Sequence, residues 1–571
     1  MVKIAGIVKW FKSHGLLLII IALGFGLRLI NLREWFQFEF DEEVIVWKLR
    51  QFVTIGKPLL IGGGTPFGFH LGPAFYYLSA IPLFFSRLDP IGWGVAAAIF
   101  GTVTIWLMWL AGKTLYNGRI GLMAALLWAT SFTAVMADRH WWPLVLDPML
   151  SLLVILYLFH ILKSVKFTKL HNKWWIILGF TLAFAWQVDL TVLPLFLAAA
   201  IVAIRNWKSQ KKGVAIVVLI LLASTAPLAL FELRHPGANL GKLMIGSDFS
   251  GLQRLDLRAL WFIPQSLSRL LFPVTHLDGN LLKFYSWCKE VADGRVNGQP
   301  WWAGVIVLGL LSFPFLFVIP AILRQAQDGE HRRTKAGIYL NRFRIPPSLA
   351  VRLQELFVHG SQSAFRRAGK SGMTRNSESD LILRIMILSG VGGIILFRLM
   401  GGNLYDFYLA VLYPVVILLA ARVIGFIWEK WGKIVAILGL GTIVGLNLLI
   451  IFKAYHPQGL AVKRQAVAWV ISKAGNEEFD LDSISNCSRY NGVRYLFLLD
   501  RKEPLSSFVD QDLSWLYDKK GDYIKPKYLV TFITPDDLTP EQNKKYNQLK
   551  QGAINSKIFS PGLEVIISGY D

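Results

Sequence analysis

Eleven stretches of this chain are apolar over roughly the length that crosses a bilayer, and that limits the fold more than any motif does. They lie at 15–32, 91–112, 120–137, 143–162, 174–189, 190–206, 214–233, 302–323, 381–399, 405–428 and 433–453, with two short spans turning at Trp186-Gln187-Val188-Asp189. Lipid leaves no water to satisfy backbone polar groups, so such runs fold as helices. The chain has 571 residues, of which 54% are hydrophobic and 17% charged, and its mean hydropathy is +0.46. A polytopic α-helical membrane protein is the expected fold class. The first run lacks a small-residue cleavage site and is long enough to span, which reads as a membrane helix and not a cleaved signal peptide. Cys288 and Cys487 are too few for a disulfide framework or a zinc cluster.

A further run, His70–Phe85, is shorter and broken by Pro73 and Pro82. Charge decides whether it crosses. If it stays at the surface, the basic groups Lys3/Lys9/Lys12, Lys113/Arg119, Lys163/Lys166/Lys169/Lys173, Arg205/Lys208/Lys211/Lys212, the stretch 324–380 and Arg422/Lys430/Lys433 all fall on one side. That is the arrangement the positive-inside bias demands, and a crossing would break it. The reading is therefore eleven spans, with the amino terminus cytoplasmic and the carboxyl terminus outside. The net charge of +23 then reflects basic loops at the cytoplasmic face, not a nucleic-acid partner.

Residues 1–453 form the membrane body on this reading, with a first external loop at 33–90. Residues 324–380 carry eleven Lys/Arg against five Asp/Glu and read as a flexible basic cytoplasmic loop near anionic lipid headgroups, or as an inert insertion. Residues 454–571 balance fifteen Lys/Arg against fifteen Asp/Glu. They alternate helix-like stretches (Gly459–Lys473, Pro540–Gln551) with β-rich runs, "RYLFLLD", "KYLVTFI" and "LEVIIS". That pattern reads as a small extracytoplasmic α/β domain.

The same topology gathers ionisable residues at one face. Asp41, Glu42 and Glu43 lie in the first external loop; Arg139 and His140 lie in the turn "DRHWWP", with Asp147 just below. Asp189 caps the next turn, Glu232 and Arg234 end the seventh span in "FELRHP", and Tyr405, Asp406 and Tyr408 open the tenth. Charges at the ends of apolar spans mark pathways or sites. Taken singly, Glu43 reads as a solvated charge, His140 and His235 as interfacial, and Trp141 and Trp142 as headgroup anchors. No P-loop, Rossmann glycine fingerprint or HExxH occurs; "GGGTPFG" (62–68) has no following helix and lysine and reads as a flexible loop. An activated substrate would therefore arrive from the membrane.

These residues resemble a family. The acidic pair Asp41-Glu42, followed by "GKPLLIGGGTPFGFHLGPAFYYL" into a juxtamembrane helix, is similar to the polyprenyl-phosphate-dependent glycosyltransferases of the GT-C superfamily. Protein O-mannosyltransferases and lipid A aminoarabinose transferases are the nearest in kind. The turn "ADRHWWPLVLDP", the helix end "ALFELRHP" and the span "YDFYLAVLYPVVILLAA" look like that family too, over about residues 10–455. Where the family often has His-Pro-Pro-Leu, this chain has His70-Leu71-Gly72-Pro73. The resemblance implies inverting sugar transfer from a polyprenyl-phosphate donor to an acceptor hydroxyl on a protein, lipid or glycan, at the outer face of a bacterial-type plasma membrane.

On that reading Asp41 is the general base and Glu42 the second choice, because a carboxylate near lipid has its pKa raised by partial burial. Arg139 and Arg234 would meet the leaving phosphate. Asp147 and Glu232 would orient the acceptor, hold an arginine, or bind a divalent metal with Asp41. His70 and Tyr76 would border the site, together with Tyr405 and Tyr408. The rival class is a transporter or flippase of lipid-linked sugars, which would want charges at mid-membrane and helices broken in paired halves; this chain shows neither. A membrane anchor for the carboxyl domain needs far fewer spans.

Overall fold

The computed structural model describes residues 2–65, 67–163, 169–245, 257–273, 276–278, 281–283, 299–316, 373–400, 405–484, 492–517, 526–535 and 538–570. Most of the basic segment 324–380, the end of the eighth apolar run, Cys288 and Cys487 lie outside these residues.

The chain opens with α1 (Val2–Leu29), the short α2 (Leu32–Trp35) and α3 (Phe40–Ile55). Then come α4 (Ala74–Phe85), α5 (Ile91–Leu115), α6 (Gly118–Thr130), α7 (Phe132–Ala137) and α8 (Asp147–Lys163). They are followed by α9 (Lys169–Val188), α10 (Leu193–Arg205), α11 (Trp207–Ser224), α12 (Ala226–Arg234) and α13 (Leu240–Ile245). The body closes with α14 (Leu257–Leu267), α15 (Trp301–Leu316), α16 (Met373–Leu399), α17 (Tyr413–Lys430) and α18 (Lys433–Lys453).

Among the described residues, six helical segments are long and apolar enough to cross a membrane: Ile91–Leu115, Pro143–Lys163, Trp207–Arg234, Glu378–Leu399, Asp406–Lys430 and Lys433–Lys453. Shorter apolar helices accompany them, at His14–Leu29, Ala74–Phe85, Gly118–Thr130, Leu193–Arg205 and Trp301–Phe315. Apolar side chains remain exposed on the outer faces of α11 and α18, for example Leu219, Leu222, Ile434 and Leu438. Hydrocarbon is the solvent that suits such faces. This is a helical membrane protein.

The ambiguous run becomes α4, a helix of 12 residues. At 1.5 Å per residue it is about 18 Å long, short of a crossing. Phe75, Tyr76, Ser79, Ala80 and Leu83 face the core, while Tyr77, Ile81, Phe84 and Phe85 face outward. The indoles of Trp93 and Trp141 pin its inner face, donating to the Ser79 carbonyl and hydroxyl respectively, each at 2.8 Å.

The carboxyl-terminal part carries a four-stranded mixed sheet. Strands Phe479–Ile484 and Tyr528–Ile533 pair in parallel, Leu563–Gly569 pairs antiparallel with the second of them, and Ala553–Ser560 forms the edge. "KYLVTFI" and "LEVIIS" supply two of these strands, and helices α19 (Leu460–Ala474) and Pro540–Gln551 form where the sequence reads helix. "RYLFLLD" does not form a strand. It is α20 (Val493–Leu499), with Val493, Tyr495, Leu496 and Phe497 buried. A short apolar run bounded by a glycine carries no period that separates helix from strand, and here packing chose helix.

This part is docked on the first loop rather than tethered to the body. The Leu460 amide donates to the Phe36 carbonyl at 3.0 Å, and Lys463 Nζ donates to the Phe38 carbonyl at 2.7 Å. Tyr495 Oη donates to the Leu88 carbonyl at 2.9 Å, and Arg464 pairs with Asp89 at 2.7 Å. Gly492 is needed at this seam: its φ is +64°, and a Cβ there would stand 2.5 Å from the Phe38 carbonyl oxygen.

Candidate active site

The three carboxylates of "FDEEV" open α3, where the free amides of a first helical turn favour negative charge. Glu42 belongs to a capping box with Glu39: its Oε2 accepts the Glu39 amide at 2.9 Å, and the Glu39 side chain accepts the Glu42 amide. The other oxygen of Glu42, Oε1, lies 2.5 Å from Nε2 of His140. Burial alone would lower the His140 pKa, but the charge of Glu42, then Glu39 and Asp41, raises it.

Glu43 turns another way. It is fully buried, not solvated as the sequence suggested, and its Oε1 accepts the Tyr495 amide of α20 at 2.7 Å. Burial raises its pKa to about 7. A residue on a helix first turn cannot choose solvent when a second domain sits on that face.

Asp41 is the carboxylate left open. Its side chain is exposed but set deep in the fold, and that depth, followed by the charge of Glu42, raises its pKa to about 6 while His140 pulls the other way. Seven residues along α3, about 20° short of two full turns, Lys48 falls on the same side as Asp41. Lys48 is buried, with Nζ 3.5 Å from the Tyr76 hydroxyl, and burial brings its pKa down to about 8. Asp41 acts electrostatically on Tyr76, and Lys48 acts on His70. The spacing of 41 and 48 was a signal for Lys48 that the sequence reading passed over.

The glycine-rich segment forms a tight hairpin instead of a loose loop. The Gly62 amide donates to the Leu71 carbonyl at 2.8 Å, and the Leu71 amide to the Gly63 carbonyl at 2.9 Å. A Cβ on Gly72 would stand 2.5 Å from Cγ of Gln187, so the hairpin closes against the α9–α10 turn only with glycine there. His70 is held from the far side: Asn239 Oδ1 accepts its amide at 2.5 Å, and Asn239 Nδ2 donates to its carbonyl at 3.1 Å. Lys242 lies by the same hairpin, and its charge also acts on His70.

Across from α3, Thr191 bridges two acids. Its hydroxyl donates to Asp147 Oδ2 at 2.7 Å and its amide to Asp189 Oδ1 at 2.6 Å. Tyr408, in the 3₁₀ turn Asp406–Leu412, feels both Asp189 and Asp41. Its ring packs on Phe397 at 5.0 Å and on Tyr405 at 5.3 Å, and Phe397 holds Phe67 of the hairpin at 5.3 Å. Asp41, Tyr76, His70, Tyr405 and Tyr408 thus border one region, with Asp147 reached through Asp189 and Thr191. Asp189, read from the sequence as part of the same charged face, joins them, as do Lys48, Thr191 and Lys242, which the sequence did not single out.

Two expected contributors are engaged elsewhere, and a third is exposed. Arg139 is almost fully buried, with Nη2 donating to the Leu27 carbonyl at 2.5 Å and the Ile30 carbonyl at 2.8 Å, and its guanidinium stands 5.4 Å from the Trp35 ring. It caps the end of α1 instead of facing Asp41. Glu232 uses both oxygens on its own loop, accepting the Gly237 amide at 2.6 Å and the Asn239 and Leu240 amides at 3.1 Å each. It supports His70 through Asn239 and is not free to share a cation with Asp41. Arg234 is exposed at the end of α12. Trp141 and Trp142 are buried and not headgroup anchors, Trp141 stacking on Phe75 at 5.6 Å and Trp142 on His140 at 4.5 Å. Among the described residues no group of three or more His, Cys, Asp or Glu is disposed to hold a metal.

Residues 74–231 match the model of the dolichyl-phosphate-mannose-protein mannosyltransferase family, so the family resemblance drawn from the residues holds over that segment. Solved structures share a broad likeness. The apo Archaeoglobus fulgidus oligosaccharyltransferase is 13% identical, covers 91% of this chain and 70% of its own, and gives a TM-score of 0.48. AglB from the same organism, in complex with an inhibitory peptide and a dolichol-phosphate, has the same identity and coverage and a TM-score of 0.46. ArnT from Cupriavidus metallidurans bound to undecaprenyl phosphate is 12% identical, covers 98% of this chain and 100% of its own, and scores 0.41. No curated protein sequence matches this chain.

Proposed function

We propose that this protein transfers a sugar from a polyprenyl-phosphate donor to an acceptor hydroxyl, with Asp41 as general base and inversion at the anomeric carbon. The observation that carries this reading is the exposed carboxylate of Asp41, raised towards neutrality and acting electrostatically on Tyr76 and Tyr408, together with a segment that matches a mannosyltransferase family model. The acceptor oxygen attacks the anomeric carbon and gives its proton to Asp41. The bond from that carbon to the phosphate oxygen breaks, and its electron pair leaves with the polyprenyl phosphate. A base with pKa near the working pH suits that step.

The leaving phosphate gathers negative charge, and buried or convergent cations stabilise it more than solvated ones do. Lys48, which is buried, supplies that charge in place of Arg139, with the exposed Lys242 converging on the same hairpin. The aromatic surface of Tyr405 and Tyr408 gives the sugar ring a face to rest on. The Asp147–Thr191–Asp189 bridge fixes the opposite wall.

The test is incubation of the purified protein in lipid nanodiscs with a synthetic polyprenyl-phosphate hexose and a panel of hydroxyl acceptors. Release of polyprenyl phosphate with a product of opposite anomeric configuration supports the reading. Movement of the intact sugar lipid across a vesicle bilayer without bond cleavage would replace it with a flippase.

A further inference from the structure

We propose that His140 is a positioning residue for Asp41: through Glu42 it holds the first turn of α3 where the acceptor proton is taken. The inference rests on the glycosyl-transfer reading above and adds to it a residue that touches no reacting atom.

The geometry begins with the second loop. Asp138 accepts from Arg28 Nε at 2.7 Å, and Arg139 grips the carbonyls of Leu27 and Ile30, so this turn is bolted to the end of α1 on two successive residues. The next residue, His140, forms a parallel β-bridge with Gln37, just before α3. Its ring stacks on Trp142 with centroids 4.5 Å apart and planes at 19°, and Trp142 meets Phe407 edge-on at 4.9 Å. The imidazole therefore has no freedom to swing, and it presents Nε2 to Glu42.

Glu42 has already satisfied the helix end through Oε2. A cap alone does not need Oε1 paired in a buried place, and burying a second charged contact is costly unless it is matched. His140 matches it. The charged groups that act on the imidazole are Glu42, Glu39 and Asp41 at the start of α3; His456 of the carboxyl-terminal part is also near, and burial keeps it neutral. Asp41 is adjacent to Glu42 on the same helical turn, so a rotation of that turn carries the base away from Tyr76 and Tyr408.

The experiment compares wild type, His140→Ala and His140→Gln in nanodiscs with the polyprenyl-phosphate hexose. The expected result is a kcat about 10- to 100-fold lower in His140→Ala, with KM for the donor within about twofold. His140→Gln, which keeps an N–H group for Glu42 but not the charge, recovers part of the loss. Wild-type transfer with an unchanged kcat in folded His140→Ala, or a glutamine variant no better than alanine, overturns this inference alone. No transfer by the wild type overturns the glycosyl-transfer reading beneath it. A second readout needs no turnover: the nitrogen-15 signal of the His140 imidazole, assigned by its loss in His140→Gln, shifts in Glu42→Gln. A signal that stays put shows that the pair does not exist.

Discussion

The two ends of α5 treat their acids differently. This helix has 25 residues, so its ends stand about 36 Å apart. Beyond Leu115, Asp380 meets Arg422 with both oxygens, Nη2 donating to Oδ2 at 3.1 Å; the guanidinium also lies 4.9 Å from the Tyr116 ring, and Ser379 donates to the Leu115 carbonyl at 2.5 Å. The buried acid there is met by its opposite. Towards the Ile91 end, Arg464 takes Asp89, Arg28 takes Asp138, and Arg139 holds the carbonyls of Leu27 and Ile30. Glu42 has an imidazole, Glu43 a backbone amide, and no basic side chain among the described residues pairs with Asp41. A matched acid locks helices together. An acid left without a guanidinium, and raised towards neutrality, can take a proton.

If that contrast is right, the two ends fail differently when broken. Asp41→Asn should cut turnover by about 10²–10⁴-fold, the range for losing a general base, with the thermal midpoint at neutral pH not lowered. Circular dichroism melts beside initial rates check this. At the other end, Arg422→Ala strands a mostly buried Asp380 and should cost about 3–5 kcal/mol, while turnover per folded molecule is retained. Arg139→Ala should cost about 1–3 kcal/mol through the two carbonyls it leaves unmet, and its activity loss should track its folding loss. A turnover loss well beyond the folding loss would return Arg139 to the site.

A further effect concerns stability against pH. Glu43 is raised from its ordinary value to about 7, so its neutral form is the one the fold favours. Its contribution is fully present below pH 4.5 and is lost as pH rises through about 7. The wild-type thermal midpoint should therefore fall over that window, and Glu43→Gln should flatten the fall. A midpoint that rises instead would mean Glu43 is held charged, in the manner of Asp380.

Hydropathy carried the membrane body into view, because spanning length is a local property that a sequence cannot hide. Charge placement favoured a His70–Phe85 segment that does not cross, and the 12 residues of α4 are too few for a crossing. Asp41 was legible as a loop carboxylate next to the membrane; that it opens a helix was not. Its neighbours were less so. The His140–Glu42 contact joins two loops far apart in the chain, and nothing local to either residue announces it. Glu43 read as solvated because its partner, the Tyr495 amide, comes from another part of the chain. Glu232 misled for the opposite reason. Its partners, the amides of Gly237, Asn239 and Leu240, are close in sequence, and attention to loop capping would have found them. Arg139 looked available because burial and a carbonyl partner leave no mark on the sequence.

The account stands on Asp41 accepting a proton from the acceptor, and the pH dependence of sugar transfer by the wild type, normalised to folded protein, reaches that claim most directly. The account predicts an acid limb centred near pH 6, with the rate falling about tenfold per unit below it as the carboxylate is protonated. A rate that holds level from pH 7 down to pH 5 would contradict it, since a base with that pKa would by then be mostly neutral.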